Sequence, residues 1–438
     1  MKFQLRPYLI PIIEQGKEIL QKYHIVYLAM ETRTGKTLAA LTIAYELGFK
    51  RILFTTKLKA IGSIKSDVKK LTDAGYDLEA TVINFESLHK VKGRPDIIII
   101  DEAHSLGAFP KPSIRTKRLR VLAAQLPIIY LSATPTPESY SQIYHQLWVS
   151  SFSPFKNIVN RHGVPSFYSW AHKTDENGKS MYVTIKEIRI GGGSKCNDYS
   201  HADRKAIKAA TGHLFLTFTQ AQAGFTQVVE EQVHLVPMAP AVDVIIKRLI
   251  NDRVVEVDAG DGVFEIVADT PVRLQSLHHQ LSSGSVIDDS GCYRVLDYSK
   301  AIYIKDNFDG SKAVFYKFKS EKTILLAIFP HATESPEDFE NGKSDIIVLQ
   351  YVSGREGIDL RSAKHTIFFN IDYSYLSYSQ SMNRFQSLHR DTPAIIHFLF
   401  NASPLGIEQK IMVALKKKSN YTSVYYKKDY ITKNNLFD

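Results

Sequence analysis

The stretch Ile25–Leu38, which reads I-V-Y-L-A-M-E-T-R-T-G-K-T-L, decides the fold expected for the first part of the chain. Its apolar run ends at Met30, a short polar turn follows, and Gly35–Thr37 opens a helical pattern. The sequence therefore predicts a strand, a loop and a helix N-terminus. Free backbone N–H groups and the positive end of a helix dipole meet at such a junction, which makes it a phosphate-binding position.

The residues of this loop have distinct expected roles. Gly35 lets the backbone approach the phosphates, Lys36 reaches the β and γ oxygens, and the Thr37 hydroxyl binds Mg²⁺. The pair Arg33–Thr34 completes the stretch expected to contact a nucleoside triphosphate. The full pattern would place a glycine where Met30 stands, so an ordinary strand–turn–helix with a chance G-K-T is the alternative.

Composition limits the classes of protein and partner. A chain of 438 residues suggests two or three domains, and 44% hydrophobic with 23% charged residues is usual for a globular protein. The formal net charge of +10 favours a polyanionic partner. Cys196 and Cys292 lack metal-site or disulfide spacing, so a reducing cytoplasm is the expected location. We expect no signal peptide, because the N-terminal residues do not have the pattern of one. We also expect no membrane attachment, because no apolar run is long enough to span a membrane.

Short β-branched runs alternate with longer helical patterns up to about residue 134. Strands alternating with helices predict βαβ units and a parallel sheet. The run Ile97–Ile100 is apolar on both faces, as expected of a central strand covered by helices on each side. Ligands bind at the carboxyl ends of such strands, so the residues after each run are the candidates for function. The predicted strands are Ile25–Met30, Arg51–Thr56, Ala80–Asn84, Asp96–Asp101 and Pro127–Thr134.

Two of these strands are followed by residues suited to phosphoryl transfer. Asp101 is expected to hold Mg²⁺ through water, and Glu102 to orient and deprotonate the attacking water. Two acidic caps on the following turn are the alternative. After the last strand, Ser132–Thr134 could sense the γ-phosphate, although S-A-T before a proline is also a good strand terminator.

The ordered set G-K-T, D-E-A-H and S-A-T resembles motifs I, II and III of superfamily 2 helicases and translocases. The segment Leu5–Tyr8 resembles the L-R-P-Y-Q element of the Swi/Snf-like and recombination-helicase branches, with Leu9 in place of the adenine-reading glutamine. The resemblance implies ATP and Mg²⁺ as cofactors and places Arg6 at the nucleotide. It also implies a coupling role for four residues, namely His104, Ser132, Ala133 and Thr134.

The same resemblance suggests a nucleic-acid track. Phe54–Lys57 and Val82–Ser87 resemble motifs Ia and Ib, which implies contacts from Thr56, Lys57 and Asn84. Five cations also stand within residues 111–120, and we interpret them as a phosphate-contact loop. A solvated helix face is the alternative for that run. The contacts expected from it are Lys111, Arg115, Lys117 and Arg118.

The alternating pattern pauses over residues 151–235, interpreted as a connector with a helix near Ala202–Thr211, and then resumes. The second half therefore predicts another parallel α/β unit, this one without a phosphate loop. Its predicted elements are a hairpin within Val254–Asp269, a helix Tyr298–Phe308, a strand Lys312–Phe318 in the place of motif IV, a helix Ser320–Phe329 and a strand Asp345–Gln350.

Two further segments resemble family motifs. Ser353–Leu360 resembles motif V, and Gln380–Arg390 falls where motif VI belongs. An arginine from motif VI neutralises charge on the γ-phosphoryl group. Arg384 matches the first motif VI arginine, but Ser387 occupies the place of the second, so Arg390 is a second candidate. A plain loop and two surface cations are the alternatives for these segments. The remaining implied roles are nucleotide contact for Gly357 and Asp359, nucleic-acid contact for Ser353 and coupling for Gln380.

Together these patterns predict an α/β protein with two RecA-like domains, each a mainly parallel sheet flanked by helices, and an ATP site in the interdomain cleft. The expected boundaries are 1–150, a connector 151–235 and 236–438. The compact size and the E-T-R-T-G-K-T loop most resemble phage-encoded helicases, which favours a monomeric ATP-dependent DNA helicase acting on forked or branched DNA in replication, recombination or repair. A double-stranded DNA translocase, an RNA helicase and a non-hydrolytic ATP-gated clamp are the alternatives.

Overall fold

A computed structural model gives the structure of the chain. It describes all residues other than 1–3, 109–111, 138–139, 156–184, 188–194, 198–203, 225–229, 259–261, 352–359, 361, 376, 379–381, 383–394 and 418–438. Of residues 59, 185–187, 195–197 and 206 it describes the backbone alone. The described residues divide into two compact units, the first ending at Gly224 and the second starting at Glu230. In the described part of the chain, no helix is long and apolar enough to cross a membrane.

The first unit is built on a six-stranded sheet in which every pairing is parallel. Its strand order is β3-β2-β4-β5-β1-β8, and a separate antiparallel pair is formed by β6 and β7. The strands are β1 Ile25–Met30, β2 Arg51–Thr56, β3 Glu79–Asn84, β4 Ile97–Ile100, β5 Ile128–Leu131, β6 Ile185–Glu187, β7 Lys195–Asn197 and β8 Phe215–Phe218.

Helices cover both faces of this sheet. Side chains alternate between the faces of a strand, and β4 shows the result. Ile97 and Ile99 belong to the core under the first three helices, whereas Ile98 and Ile100 belong to the core on the opposite face. All four are fully buried, as a central strand covered on both sides requires. The helices are α1 Leu9–Tyr23, α2 Lys36–Glu46, α3 Ile61–Asp73, α4 Ile114–Ala123, α5 Gln142–Leu147 and α6 Arg204–Thr211.

The second unit contains a five-stranded sheet, also wholly parallel, in the order β15-β14-β16-β17-β9. Two antiparallel hairpins, β10–β11 and β12–β13, accompany it. The strands are β9 Glu230–Val236, β10 Val254–Asp258, β11 Val263–Val267, β12 Ser285–Ile287, β13 Tyr293–Val295, β14 Lys312–Tyr316, β15 Ile346–Gln350, β16 His365–Phe368 and β17 Ile395–Asn401. The helices are α7 Pro240–Asp252, α8 Pro271–Leu281, α9 Ser299–Asn307, α10 Lys319–Ile328, α11 Pro336–Glu340 and α12 Glu408–Lys416.

The predicted fold class, two α/β domains with parallel sheets flanked by helices, is confirmed. The predicted strands of both halves are present with small differences at their ends, and the predicted hairpin is β10–β11. The segment 151–235, interpreted as a connector, supplies one strand to each sheet: β8 lies beside β1, and β9 lies beside β17.

Candidate nucleotide-binding site

The loop between β1 and α2 has the backbone shape that its sequence suggests. Gly35 has a φ of +90°, in the left-handed region that favours glycine, and it directly precedes the first turn of α2. A Cβ on Gly35 would lie 3.0 Å from Leu9 Cδ1, so the loop also packs closely against the start of α1. Arg33 likewise has a positive φ, of +63°. The unpaired N–H groups that open α2 therefore belong to a tightly turned loop, which is the arrangement that binds phosphate.

Lys36 is partly buried and lies across this loop. Its Nζ donates to the carbonyl oxygens of Met30 at 2.9 Å and of Glu31 at 3.4 Å. Burial lowers the pKa of Lys36, and the negative charges of Glu102, Asp101 and Glu31 oppose that shift. Phosphate oxygens could replace the two carbonyl oxygens as acceptors, because all of them are oxygen acceptors for the same ammonium group.

The acid pair stands directly after β4. Asp101 Oδ2 accepts a hydrogen bond of 2.8 Å from Thr56 Oγ1. Burial, followed by the charge of Glu102, raises the pKa of Asp101 to about 6, and Lys36 opposes the rise. A partly buried carboxylate beside a lysine and a second acid provides the hard oxygen donors that Mg²⁺ prefers. These residues therefore fit a magnesium ion, with Thr37 at the start of α2 as the second expected ligand.

Thr56 belongs to the surroundings of the acid pair. It was a candidate for contact with nucleic acid, but its side chain is 0% exposed and its hydroxyl serves Asp101. The last residue of β2 thus contacts the residue that follows the neighbouring strand β4, and its contact with nucleic acid stays a prediction. Lys57, the next residue, is partly exposed.

A chain of polar contacts joins the acid pair to the segment after β5. Glu102 Oε2 lies 3.2 Å from His104 Nδ1, and that nitrogen lies 3.0 Å from Ser132 Oγ. Ser132 Oγ in turn accepts from the backbone N–H of Thr134 at 3.1 Å. His104 and Ser132 are buried. The structure thus brings together His104, Ser132 and Thr134, which are expected to couple hydrolysis to movement. Ala133, between Ser132 and Thr134 in the sequence, lines an adjoining cavity of about 540 Å³.

A buried tyrosine that sequence reasoning missed supports the same segment. Tyr27, in the middle of β1, donates from Oη to Gln146 Oε1 at 2.6 Å. Gln146 Nε2, on α5, donates to Pro135 O at 2.8 Å, directly after the S-A-T residues. Burial raises the pKa of Tyr27 well above its usual range, so the hydroxyl stays a donor. The available signal was a tyrosine inside an otherwise aliphatic strand, since a buried Tyr hydroxyl needs a partner.

The N-terminal element reaches the loop as well. Arg6 Nη1 donates to the carbonyl oxygen of Arg33 at 3.1 Å and to Tyr8 Oη at 2.8 Å. The Tyr8 ring stacks on Phe218, at the end of β8, with ring centroids 5.2 Å apart. Leu9 is buried against Gly35, so this position contributes packing rather than hydrogen bonding.

The cation-rich run 111–120 differs in conformation from the expected loop, while its contacts with nucleic acid stay a prediction. From Ile114 onward it is helix α4 rather than a loop, with Ser113 accepting from the backbone of Thr116 at its N-terminus. Arg115 Nη2 pairs with Glu86 Oε1 at 2.6 Å, and Asn84 also donates to the Glu86 carboxylate. Lys117 and Arg118 are exposed. Thus Arg115 already has an acidic partner, while two cations of α4 face solvent.

Several predicted site residues lie outside the described residues. These are Lys111, Ser353, Gly357, Asp359, Gln380, Arg384 and Arg390. Among the described residues of the second unit, Lys317 directly follows β14, at the carboxyl edge of the second sheet. Its Nζ lies 3.2 Å from Asp372 Oδ1 and 3.4 Å from the centre of the Tyr373 ring.

Comparison with known proteins gives fold similarity alone. No protein-family model matches the sequence, and no curated protein matches it. Among solved structures, the chain is similar to the Sulfolobus solfataricus SWI2/SNF2 ATPase core in complex with dsDNA, with a TM-score of 0.41 and 15% identity over 100% of this chain and 97% of that one. It is also similar to the Pyrococcus furiosus Hef helicase domain, with a TM-score of 0.48 and 12% identity over 94% and 98% of the two chains.

Proposed function

We propose that this protein is an ATP-hydrolysing motor that moves on DNA, a helicase or translocase. The observation that carries the proposal is the convergence of Lys36, Asp101 and Glu102 after the carboxyl ends of β1 and β4, the two strands that flank β5, with a polar chain leading from Glu102 to Ser132. Enzymes that hydrolyse nucleoside triphosphates use a phosphate-binding loop together with acidic residues of this kind. A protein that only bound a nucleotide would not need the polar chain from Glu102 to Ser132.

In the proposed reaction each side chain has a definite task. Lys36 exchanges its two carbonyl partners for the β and γ oxygens of ATP and stabilises their charge. Thr37 and Asp101 hold Mg²⁺, which neutralises charge on the phosphates when it is bound. Glu102 orients the attacking water and accepts its proton. Either Arg384 or Arg390 supplies the further positive charge that the γ-phosphoryl group needs in the transition state.

The link from chemistry to movement runs through His104. A proton taken up by the Glu102 carboxylate weakens its attraction to His104 Nδ1, and Ser132 Oγ competes for the same ring nitrogen. Ser132 also holds the backbone of Thr134, so a change in the His104 contact alters the S-A-T segment. Hydrolysis should therefore change the conformation of the S-A-T segment.

DNA is the proposed track, and forked or branched DNA in phage replication, recombination or repair is the favoured substrate. The net charge of +10 and the exposed Lys117 and Arg118 on α4 support a polyanionic partner. Contacts of this kind bind backbone phosphates and carry no sequence information, which suits a motor that moves along its substrate. The resemblance of the motifs to fork-remodelling helicases supports the finer assignment.

A substrate panel tests the proposal. ATP hydrolysis and strand separation are measured with a fork, a four-way junction, plain duplex and RNA. The proposal predicts hydrolysis stimulated by DNA, with separation on branched substrates. Triplex displacement without strand separation would indicate a duplex translocase, stimulation by RNA alone would indicate an RNA helicase, and tight binding without turnover would indicate a clamp.

The arginine is tested separately. Loss of the correct arginine should lower the turnover rate by about 10³–10⁵. Arg384→Ala and Arg390→Ala are therefore compared in the same assay, and equal small effects of both would remove the motif VI assignment.

A further inference from the structure

The phosphate loop is held by a residue far away in the sequence. Gln220 lies two positions after the end of β8 and is only 3% exposed. Its backbone N–H donates to Glu31 Oε2 at 2.7 Å, and its side-chain Nε2 donates to the carbonyl oxygen of Thr32 at 2.9 Å. Glu31 and Thr32 are the first two residues of the loop, so Gln220 holds it where the chain leaves β1.

The position of Gln220 is itself fixed by the sheet. Met30 and Phe218 are partners at the ends of β1 and β8, and the backbone N–H of Glu31 donates to Phe218 O at 2.9 Å. The hydrogen-bond ladder thus continues one residue past β1 into the loop. The Phe218 ring also stacks on Tyr8 at the start of the chain, which adds a second support. Gln220 therefore acts on the loop from a turn that directly follows a strand paired with β1.

We propose that Gln220 is a positioning residue for the nucleotide, which it serves by holding the phosphate loop in its binding conformation before ATP arrives. This inference rests on the proposed ATP site at Lys36. When only a fraction of the molecules has a competent loop, the apparent affinity for the ligand falls by that fraction. Gln220 raises the competent fraction by satisfying the Thr32 carbonyl and the Glu31 carboxylate. Bound ATP orders the loop by itself, so Gln220 affects binding more than the chemical step.

Two substitutions and a matched control isolate this effect. Gln220→Met keeps the volume of the side chain and removes its donor, whereas Gln220→Glu sets a carboxylate against the Thr32 carbonyl oxygen. Gln21→Met is the control, because Gln21 is exposed on α1 of the same unit. Affinity for a fluorescent ADP is measured without DNA, and the KM for ATP and kcat are measured with saturating DNA. Lys36→Ala first identifies the binding that belongs to this site.

A neutral hydrogen bond contributes about 1 kcal/mol, equivalent to about a fivefold change in affinity. Gln220→Met should therefore weaken ADP binding and raise KM by about fivefold, with kcat changed less than about twofold. Gln220→Glu should show a larger loss, and Gln21→Met should match the unmutated protein. Amide hydrogen exchange over residues 31–35 should be faster in the Gln220 variants, which gives a readout independent of turnover.

Three results would overturn the inference. Unchanged ADP affinity in both folded Gln220 variants would show that the side-chain hydrogen bond to Thr32 has no effect on binding. A fall in kcat with unchanged KM would place Gln220 in the chemical step instead. If the unmutated protein bound ADP no better than Lys36→Ala, the proposed function would fail first and this inference with it. Should Gln220→Glu not fold, the near-isosteric Gln220→Met still decides the question.

Discussion

The hydrogen bond between Tyr27 and Gln146 gives a prediction whose magnitude follows from the structure. The two groups are fully buried and lie 2.6 Å apart, and Gln146 also donates to Pro135 O. Tyr27→Phe removes one oxygen atom, so the ring packing stays while the contacts of the hydroxyl with Gln146 and Ser132 are lost. A buried acceptor left without its donor costs about 1–3 kcal/mol. We expect the free energy of unfolding of the first unit to fall by that amount.

The chain offers a selective assay for this effect. Both tryptophans, Trp148 and Trp170, lie in the first half of the sequence, so their fluorescence during urea unfolding reports on that half. In a double-mutant cycle, Tyr27→Phe with Gln146→Leu should cost less than the sum of the single changes, because the second change removes the orphaned acceptor. Tyr45→Phe on the partly exposed end of α2 is the control, with an expected change within about 0.5 kcal/mol. Additive single effects would refute the reasoning.

Three other predictions concern the second unit and the proposed track. Burial lowers the pKa of His397 to about 4, so the unfolded chain binds this proton first as the pH falls below 6.5. His397 alone should account for about 3 kcal/mol of the stability lost between pH 7 and 4, so His397→Gln should lose that much less than the unmutated protein, by urea midpoints. Lys300 and Glu408 form a fully buried pair at 2.8 Å, so Lys300→Met should destabilise by about 3–5 kcal/mol and the double change with Glu408→Leu by less, in thermal melts. Neutralising Lys117 and Arg118 should lower the slope of log K against log salt for duplex DNA by about 2, and an unchanged slope would remove α4 from the track.

The parts of the fold that follow from local pattern were predictable. β1 and β2 have the expected ends because each is a continuous apolar or β-branched run bounded by polar residues. Strand β8 was not recognised because it has only four residues, and its partner β1 lies almost two hundred positions earlier. Such a pairing leaves no local signal. Helix α4, by contrast, carried a signal that the charge run obscured, since Ser113 is a good N-cap residue.

The same distinction applies to the site. The loop, the acid pair and the S-A-T segment each stand directly after a strand, so the parallel sheet was enough to bring them together. Thr56 also stands at a strand end, but its side chain hydrogen-bonds to Asp101, which directly follows the neighbouring strand β4. The sequence alone does not show which neighbouring strand supplies that partner. Gln220 and Gln146 act through hydrogen bonds to residues more than ten positions away, which only the folded chain defines.

ATP binding and hydrolysis by Glu102→Gln test the central claim most directly, that Lys36, Asp101 and Glu102 form one ATP-hydrolysing site. The amide keeps the shape of the side chain but does not accept the proton of the attacking water, so binding should persist while turnover falls by about 10²–10⁴. Lys36→Ala should lose binding itself, and Lys69→Ala on the exposed face of α3 should match the unmutated protein. Undiminished turnover in Glu102→Gln, or undiminished binding in Lys36→Ala, would contradict the account.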